Sequence, residues 1–125
     1  MNRAPIGSLD AVTIDCLDPH ALAGFWCSVF ATEIDTIEGD PTQHIDLLPA
    51  AGAPTIRLQR VSEPKTVRDR IHLDLMVDDV DLAIGRAIEL GAQRKDGAEA
   101  REYGGATVVM LDPEGNEFCL TTREE

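Results

Sequence analysis

The chain reads as one supersecondary pattern written twice. Leu9-Asp10-Ala11-Val12-Thr13-Ile14-Asp15-Cys16 has the composition of a strand, and it runs through Asp18-Pro19-His20 into an apolar stripe at helical spacing. Ile71-His72-Leu73-Asp74-Leu75-Met76-Val77 is a second such strand, and it runs through Asp78-Asp79 into a second stripe. The two acidic helix starts, Asp18 and Asp79, stand about half the chain apart. Internal repetition of this kind constrains the fold more than any local signal, because missing it mistakes the whole architecture. Two similar halves are expected to pack together, with a ligand between or beneath them.

Each helix has its own signals. Asp18 is a good N-cap, and Pro19 fits the first helical position, where its missing N–H costs nothing. Leu22, Phe25, Trp26, Val29 and Phe30 then form a single apolar face, predicting a helix from Pro19 to about Phe30. Val80, Ala83, Ile84, Ala87 and Ile88 predict the second helix, from Val80 to about Leu90, with Gly91 as a left-handed stop. Short strands are expected after each: Glu33 to Glu38, His44 to Leu48 and Thr55 to Val61, then Ala92 to Lys95, Ala106 to Leu111 and Glu117 to Thr122. Asp112-Pro113-Glu114-Gly115-Asn116 predicts a tight reversal before the last strand. The order is strand, helix, strand, strand, strand in each half. Module one is placed at about 8–61, a linker at about 62–69 and module two at about 70–123, in a single domain over 1–125.

Composition narrows the partners. With 11 basic and 23 acidic residues the formal charge is −12, which repels phosphate backbones and anionic membrane surfaces. Neither nucleic acid nor membrane is therefore expected. Lys65, Arg68 and Arg70, interrupted by Asp69, read as a solvated linker rather than an anion site. Cys16, Cys27 and Cys119 include no CxxC pair and no apolar signal core precedes them, so a cytoplasmic protein with reduced thiols is expected. Each cysteine reads as a small buried hydrophobe. His20 and His44 read as surface residues.

The strand over 71–77 carries the chemistry. Ile71, Leu73, Leu75 and Val77 alternate with His72, Asp74 and Met76. The apolar set should face a helix. The other face then presents an imidazole and a carboxylate to water, a partner or a ligand.

These motifs together have a familiar form. The His72-x-Asp74 strand, the Val77-Asp78-Asp79-Val80 helix start, Glu89-Leu90-Gly91-Ala92 at its end and the run Asp112-Pro113-Glu114-Gly115-Asn116-Glu117-Phe118 are similar to the glyoxalase, bleomycin-resistance and extradiol-dioxygenase (vicinal oxygen chelate) superfamily. Over nearly its whole length the chain resembles the small glyoxalase-like domain proteins. The resemblance implies an α+β fold of two repeated βαβββ modules, curved mixed sheets around a cavity, helices on the outer face and a homodimer.

It also implies where a metal would bind, on the first and last strands of each module. His72 matches the second module's opening position. Counting on from Asp112 as in glyoxalase I, the last-strand position is Cys119; Glu117 lies two residues earlier on the same face, out of register. The fourth strand offers only Gln59 among Arg57, Leu58 and Gln59, and the first strand offers Asp10 or Ala11. The divalent-metal set is thus incomplete, with His72 its best member and Cys119 and Asp10 weak ones. Ordinary glyoxalase I chemistry, which needs a metal and a proton-moving carboxylate, is not expected.

The functional expectation is a protein that binds a small molecule, with a pocket drawing on Asp74, Gln59, Trp26, Met76 and Cys119. One alternative is a lyase, isomerase or epimerase of small carbonyl compounds, with His72 and Glu117 as catalytic residues and Asp74 orienting His72. Another is a non-catalytic interaction module.

Overall fold

The computed structural model describes residues 4–5, 7–35, 40, 42–102 and 105–122. The chain divides into two compact units, Met1–Ser62 and Glu63–Glu125. Both are α+β.

In the first unit, β1 (Ala11–Cys16) leads to α1 (Pro19–Phe30), then β2 (His44–Asp46) and β3 (Thr55–Arg60). Asp18 caps α1 as its sequence position suggests, its Oδ1 accepting from the Ala21 N–H at 3.2 Å. The helix stops at Ala31, a non-glycine residue in the left-handed region (φ 51°). The sheet order is β1-β3-β2, with β1 parallel and β2 antiparallel to β3. Ile45 and Leu58 lie side by side in the ladder and are buried, as is Leu22 of α1. Trp26 is also buried at 1% exposure, edge-on to Phe25 and stacked on Phe30.

The second unit runs β4 (Leu73–Met76), α2 (Val80–Glu89), β5 (Gln93–Glu102), β6 (Gly105–Leu111) and β7 (Glu117–Thr122). Its sheet order is β4-β7-β6-β5, with β4 parallel to β7 and the other pairs antiparallel. Asp79 caps α2 by accepting from the Leu82 N–H at 3.0 Å, and Gly91 takes φ 113° just after the helix. Phe118 and Leu120 of β7 and Val108 and Met110 of β6 form the buried side of this sheet, which α2 covers. The alternate residues of β7, Glu117, Cys119 and Thr121, point to the other face.

Several expected strands have different limits. Of the strand placed over Glu33 to Glu38, Ile34 forms only an isolated bridge to Leu47, and 36–39 lie outside the described residues. β5 continues well past Lys95, where the expected strand stops, through a register shift between Arg94 and Glu99. The strand over 71–77 contracts to Leu73–Met76, leaving Ile71 outside the ladder and 79% exposed.

Candidate functional site

Among the described residues of the second unit, a tight cluster of charge is built on Glu117, the first residue of β7. The Asp112 turn delivers it there. Asp112 is buried, and its Oδ1 accepts from the backbone N–H of Glu114 and of Asn116, both at 2.9 Å. Its Oδ2 accepts from the Asn116 amide at 3.0 Å, and Gly115 takes φ 87° to complete the reversal.

Glu117 is nearly enclosed, its side chain 3% exposed. A carboxylate can stay ionised at such a place only if cations meet it. Lys95 reaches from β5 and donates to Oε1 at 2.9 Å. Lys65 lies 3.8 Å from the same oxygen. His72 Nε2 stands 3.0 Å from Oε2, and Arg68 Nε stands 3.8 Å from it. The Glu117 backbone N–H donates to Asp69 Oδ2 at 2.8 Å, and Asp69 faces Lys65 at 3.7 Å. Burial pushes the Glu117 carboxyl up, but the Lys95 hydrogen bond and the charges of Lys95, Lys65 and His72 outweigh it. The carboxyl is held below its ordinary value.

The two oxygens are not equally served. Oε1 has its hydrogen bond. Oε2 is buried and accepts no hydrogen bond, although His72 Nε2 lies 3.0 Å and Arg68 Nε 3.8 Å from it.

Of the residues singled out in the sequence, the structure brings His72 and Glu117 together. Asp74 does not orient His72; it pairs in register with Cys119 across β4 and β7 and hydrogen-bonds to it. Burial, then the Asp74 charge and that hydrogen bond, push the Cys119 thiol up, the reverse of what a thiolate ligand or nucleophile needs. Burial and Glu33 do the same to Cys27. Met76 closes β4 and is 58% exposed. Among the described residues no three His, Cys, Asp or Glu side chains are grouped to hold a metal ion.

The remaining residues belong to the first unit. Trp26 is buried on α1, with its ring against those of Phe25 and Phe30. Asp10 accepts from the Thr55 N–H through its carbonyl, which starts the β1–β3 pairing. Gln59 is exposed on β3, opposite His44 of β2 and Asp15 of β1. His44 is half-buried there rather than on the open surface. On the same face, Arg57 clamps Asp46 through Nε at 2.8 Å and Nη2 at 3.0 Å, and this bidentate bond holds the Asp46 carboxyl down.

Lys65, Arg68, Asp69 and Lys95 are the cluster members that sequence reasoning missed. The stretch expected to be a solvated linker instead folds Lys65 and Asp69 against Glu117. Its one signal was alternating charge, which is common to solvated segments and ion-pair networks.

A family model described as a glyoxalase-like domain matches residues 11–121. Among solved structures, the chain is similar to a glyoxalase/bleomycin resistance protein/dioxygenase family enzyme from Burkholderia phytofirmans PsJN: 23% identity, 94% of this chain and 100% of that one, TM-score 0.74. It is similar to the fosfomycin resistance protein FosX from Mesorhizobium loti at 18% identity, over 97% and 95% of the chains, TM-score 0.69. TioX from Micromonospora sp. ML1 matches at 23% identity, over 94% and 100%, TM-score 0.61. At these identities the likeness is one of fold. No curated protein matches.

Proposed function

Because the chain belongs to the glyoxalase-like domain family, within the glyoxalase, bleomycin-resistance and dioxygenase superfamily, we propose that it binds a small organic molecule without a resident catalytic metal and is not a glyoxalase I. The observation that carries this is the state of Glu117. His72 and Glu117 are the two metal-type donors within reach of each other, but the carboxylate already holds Lys95 at 2.9 Å, with Lys65 beside it. A divalent ion placed there would meet two ammonium groups and, among the described residues, lack a third donor, whereas such sites take three or more protein ligands. The donor set does not fit the metal that the superfamily's enzymes use. Fosfomycin resistance is named for one relative in fold, and action on a drug-sized compound suits this reading.

The test is metal content together with ligand response. Protein purified without chelator or immobilised nickel is expected to carry far less than one equivalent of Zn²⁺, Ni²⁺, Mn²⁺ or Fe²⁺. Its melting temperature is expected to rise with at least one compound from a screen of small organics. A stoichiometric metal that His72→Ala loses would overturn the metal-free reading, and a screen with no response of any kind would overturn ligand binding.

The 3.0 Å contact between His72 and Glu117 favours a second reading, an isomerase, lyase or epimerase of small carbonyl compounds. His72 would be the base, with the Glu117 charge beside its ring; Glu117 itself, ion-paired with its carboxyl held down, is a poor base. The two modules are read as one domain, and the protein as a cytoplasmic homodimer. The free cysteines suit a reducing compartment, and light scattering of the purified protein tests the dimer.

A further inference from the structure

Arg68 is the loosest member of the Glu117 cluster. Its side chain is 73% exposed, and its Nε approaches Oε2 no closer than 3.8 Å. Oε2 is a buried carboxylate oxygen with no hydrogen bond. A buried acceptor in that state carries a desolvation cost that an N–H donor would relieve. Arg68 supplies the charge for such a contact without supplying the bond.

We propose that Oε2 of Glu117 is the anchor for an N–H-bearing organic cation, a guanidinium or primary ammonium group, and that Arg68 is the tethered guanidinium which stands in its place. This rests on the ligand-binding reading above and names the class of ligand. Exchanging Arg68 for a ligand's cation leaves the cluster's charge unchanged. With Arg68 swung away, Lys65 and Lys95 balance Glu117 and Asp69, so an incoming cation meets no net positive charge from these four groups. His72, 3.0 Å from Oε2, flanks the same oxygen and contributes repulsion only when protonated. The chain's charge of −12 draws cations toward the protein and disfavours anions. A guanidinium is the best match, since the side chain it would replace, Arg68, already presents one toward Oε2.

The test is an NMR titration of the whole protein at fixed ionic strength, following the amides of Glu117 and His72. The probes are ethylguanidinium, ethylammonium, tetramethylammonium (a cation with no N–H) and acetate. Ethylguanidinium is expected to saturate, ethylammonium to bind more weakly, and tetramethylammonium and acetate to leave these amides unmoved. Arg68→Ala removes the internal competitor. It is expected to tighten ethylguanidinium binding about threefold or more, because a site occupied by its own side chain lowers apparent affinity by the free fraction. Glu117→Gln is expected to abolish binding. Equal affinity in the wild-type protein and Arg68→Ala would overturn the proposal. So would saturation by tetramethylammonium or acetate at these amides. Arg68 is mostly exposed, so Arg68→Ala decides the question even if Glu117→Gln does not fold. If the organic-compound screen finds only uncharged or anionic ligands, this proposal falls and the ligand-binding reading stands.

Discussion

Glu117 is the residue whose loss is most informative. Its carboxyl is held below its ordinary value in the folded chain, and desolvation opposes rather than causes that shift. The sign of its linkage follows. A carboxyl depressed on folding contributes stability that is complete above its unfolded pKa, about 4.3, and is lost as pH falls through the folded value. Glu117→Gln should therefore cost about 2 kcal/mol near pH 7, from the Lys95 hydrogen bond and the flanking cations. The gap between variant and wild type should narrow as pH falls below about 4. The Arg57–Asp46 pair weakens in acid too, but it is present in both proteins and cancels. Urea midpoints from pH 7 to pH 3 check this; a gap that stays constant would show that Glu117 is not ionised in the folded chain. Cys119 makes the opposite kind of residue-scale claim. A thiol pushed up by burial and by Asp74 reacts slowly, so iodoacetamide at pH 7.5 should modify it far more slowly in the native protein than in urea. Rapid native labelling would mean that a thiolate forms and would restore Cys119 as a metal-ligand candidate.

At the scale of elements, the two helices end differently. Both begin at an Asp N-cap, and Gly91 takes the left-handed conformation after α2, where a Cβ would meet Pro113 Cγ at 3.4 Å. Ala31 holds the equivalent conformation after α1 with a Cβ that disfavours it, and its N–H and that of Thr32 close the helix onto Ser28 and Cys27. Ala31→Gly should stabilise the protein by about 0.5–1 kcal/mol, visible as a raised melting temperature. A drop would mean that the Ala31 methyl packs more than its backbone strains. The helices were legible in the sequence because capping and a 3.6-residue apolar period are local signals, and the Asp112 turn because its geometry is set by its own side chain. The limits of β5 were not, because a bulge in the middle of a strand looks the same as a turn until its partner strand is known. The site was half legible. Alternation on the strand at 71–77 gave His72 a face away from the helix. That it meets Glu117 rather than Asp74 depends on the parallel register of β4 and β7, which nothing in either strand specifies. Lys65, Arg68 and Asp69 were hidden for a related reason: they make ordered contacts from a stretch with no periodicity.

Over the whole molecule, charge is the dominant unscreened quantity. Acidic residues outnumber basic ones 23 to 11, and pairs such as Arg57–Asp46 and Lys65–Asp69 that offset this are partly exposed. An exposed ion pair contributes about 0–1 kcal/mol, while like charges spread over a small protein repel collectively and oppose the compact state. Repulsion should therefore win at low ionic strength. Raising salt shortens the screening length from about 30 Å at 0.01 M to about 8 Å at 0.15 M, which weakens long-range repulsion more than the short Lys95–Glu117 and Arg57–Asp46 contacts. The melting temperature should rise by several degrees between 10 and 150 mM NaCl. Tetramethylammonium chloride separates screening from specific sodium binding, since it has the same ionic strength but a large cation that coordinates no oxygen ligands. Equal rises in the two salts would mean that screening alone is at work. A falling melting temperature in both would mean that the ion pairs outweigh the net charge, and that the cluster around Glu117 contributes more to the fold than its one short hydrogen bond suggests.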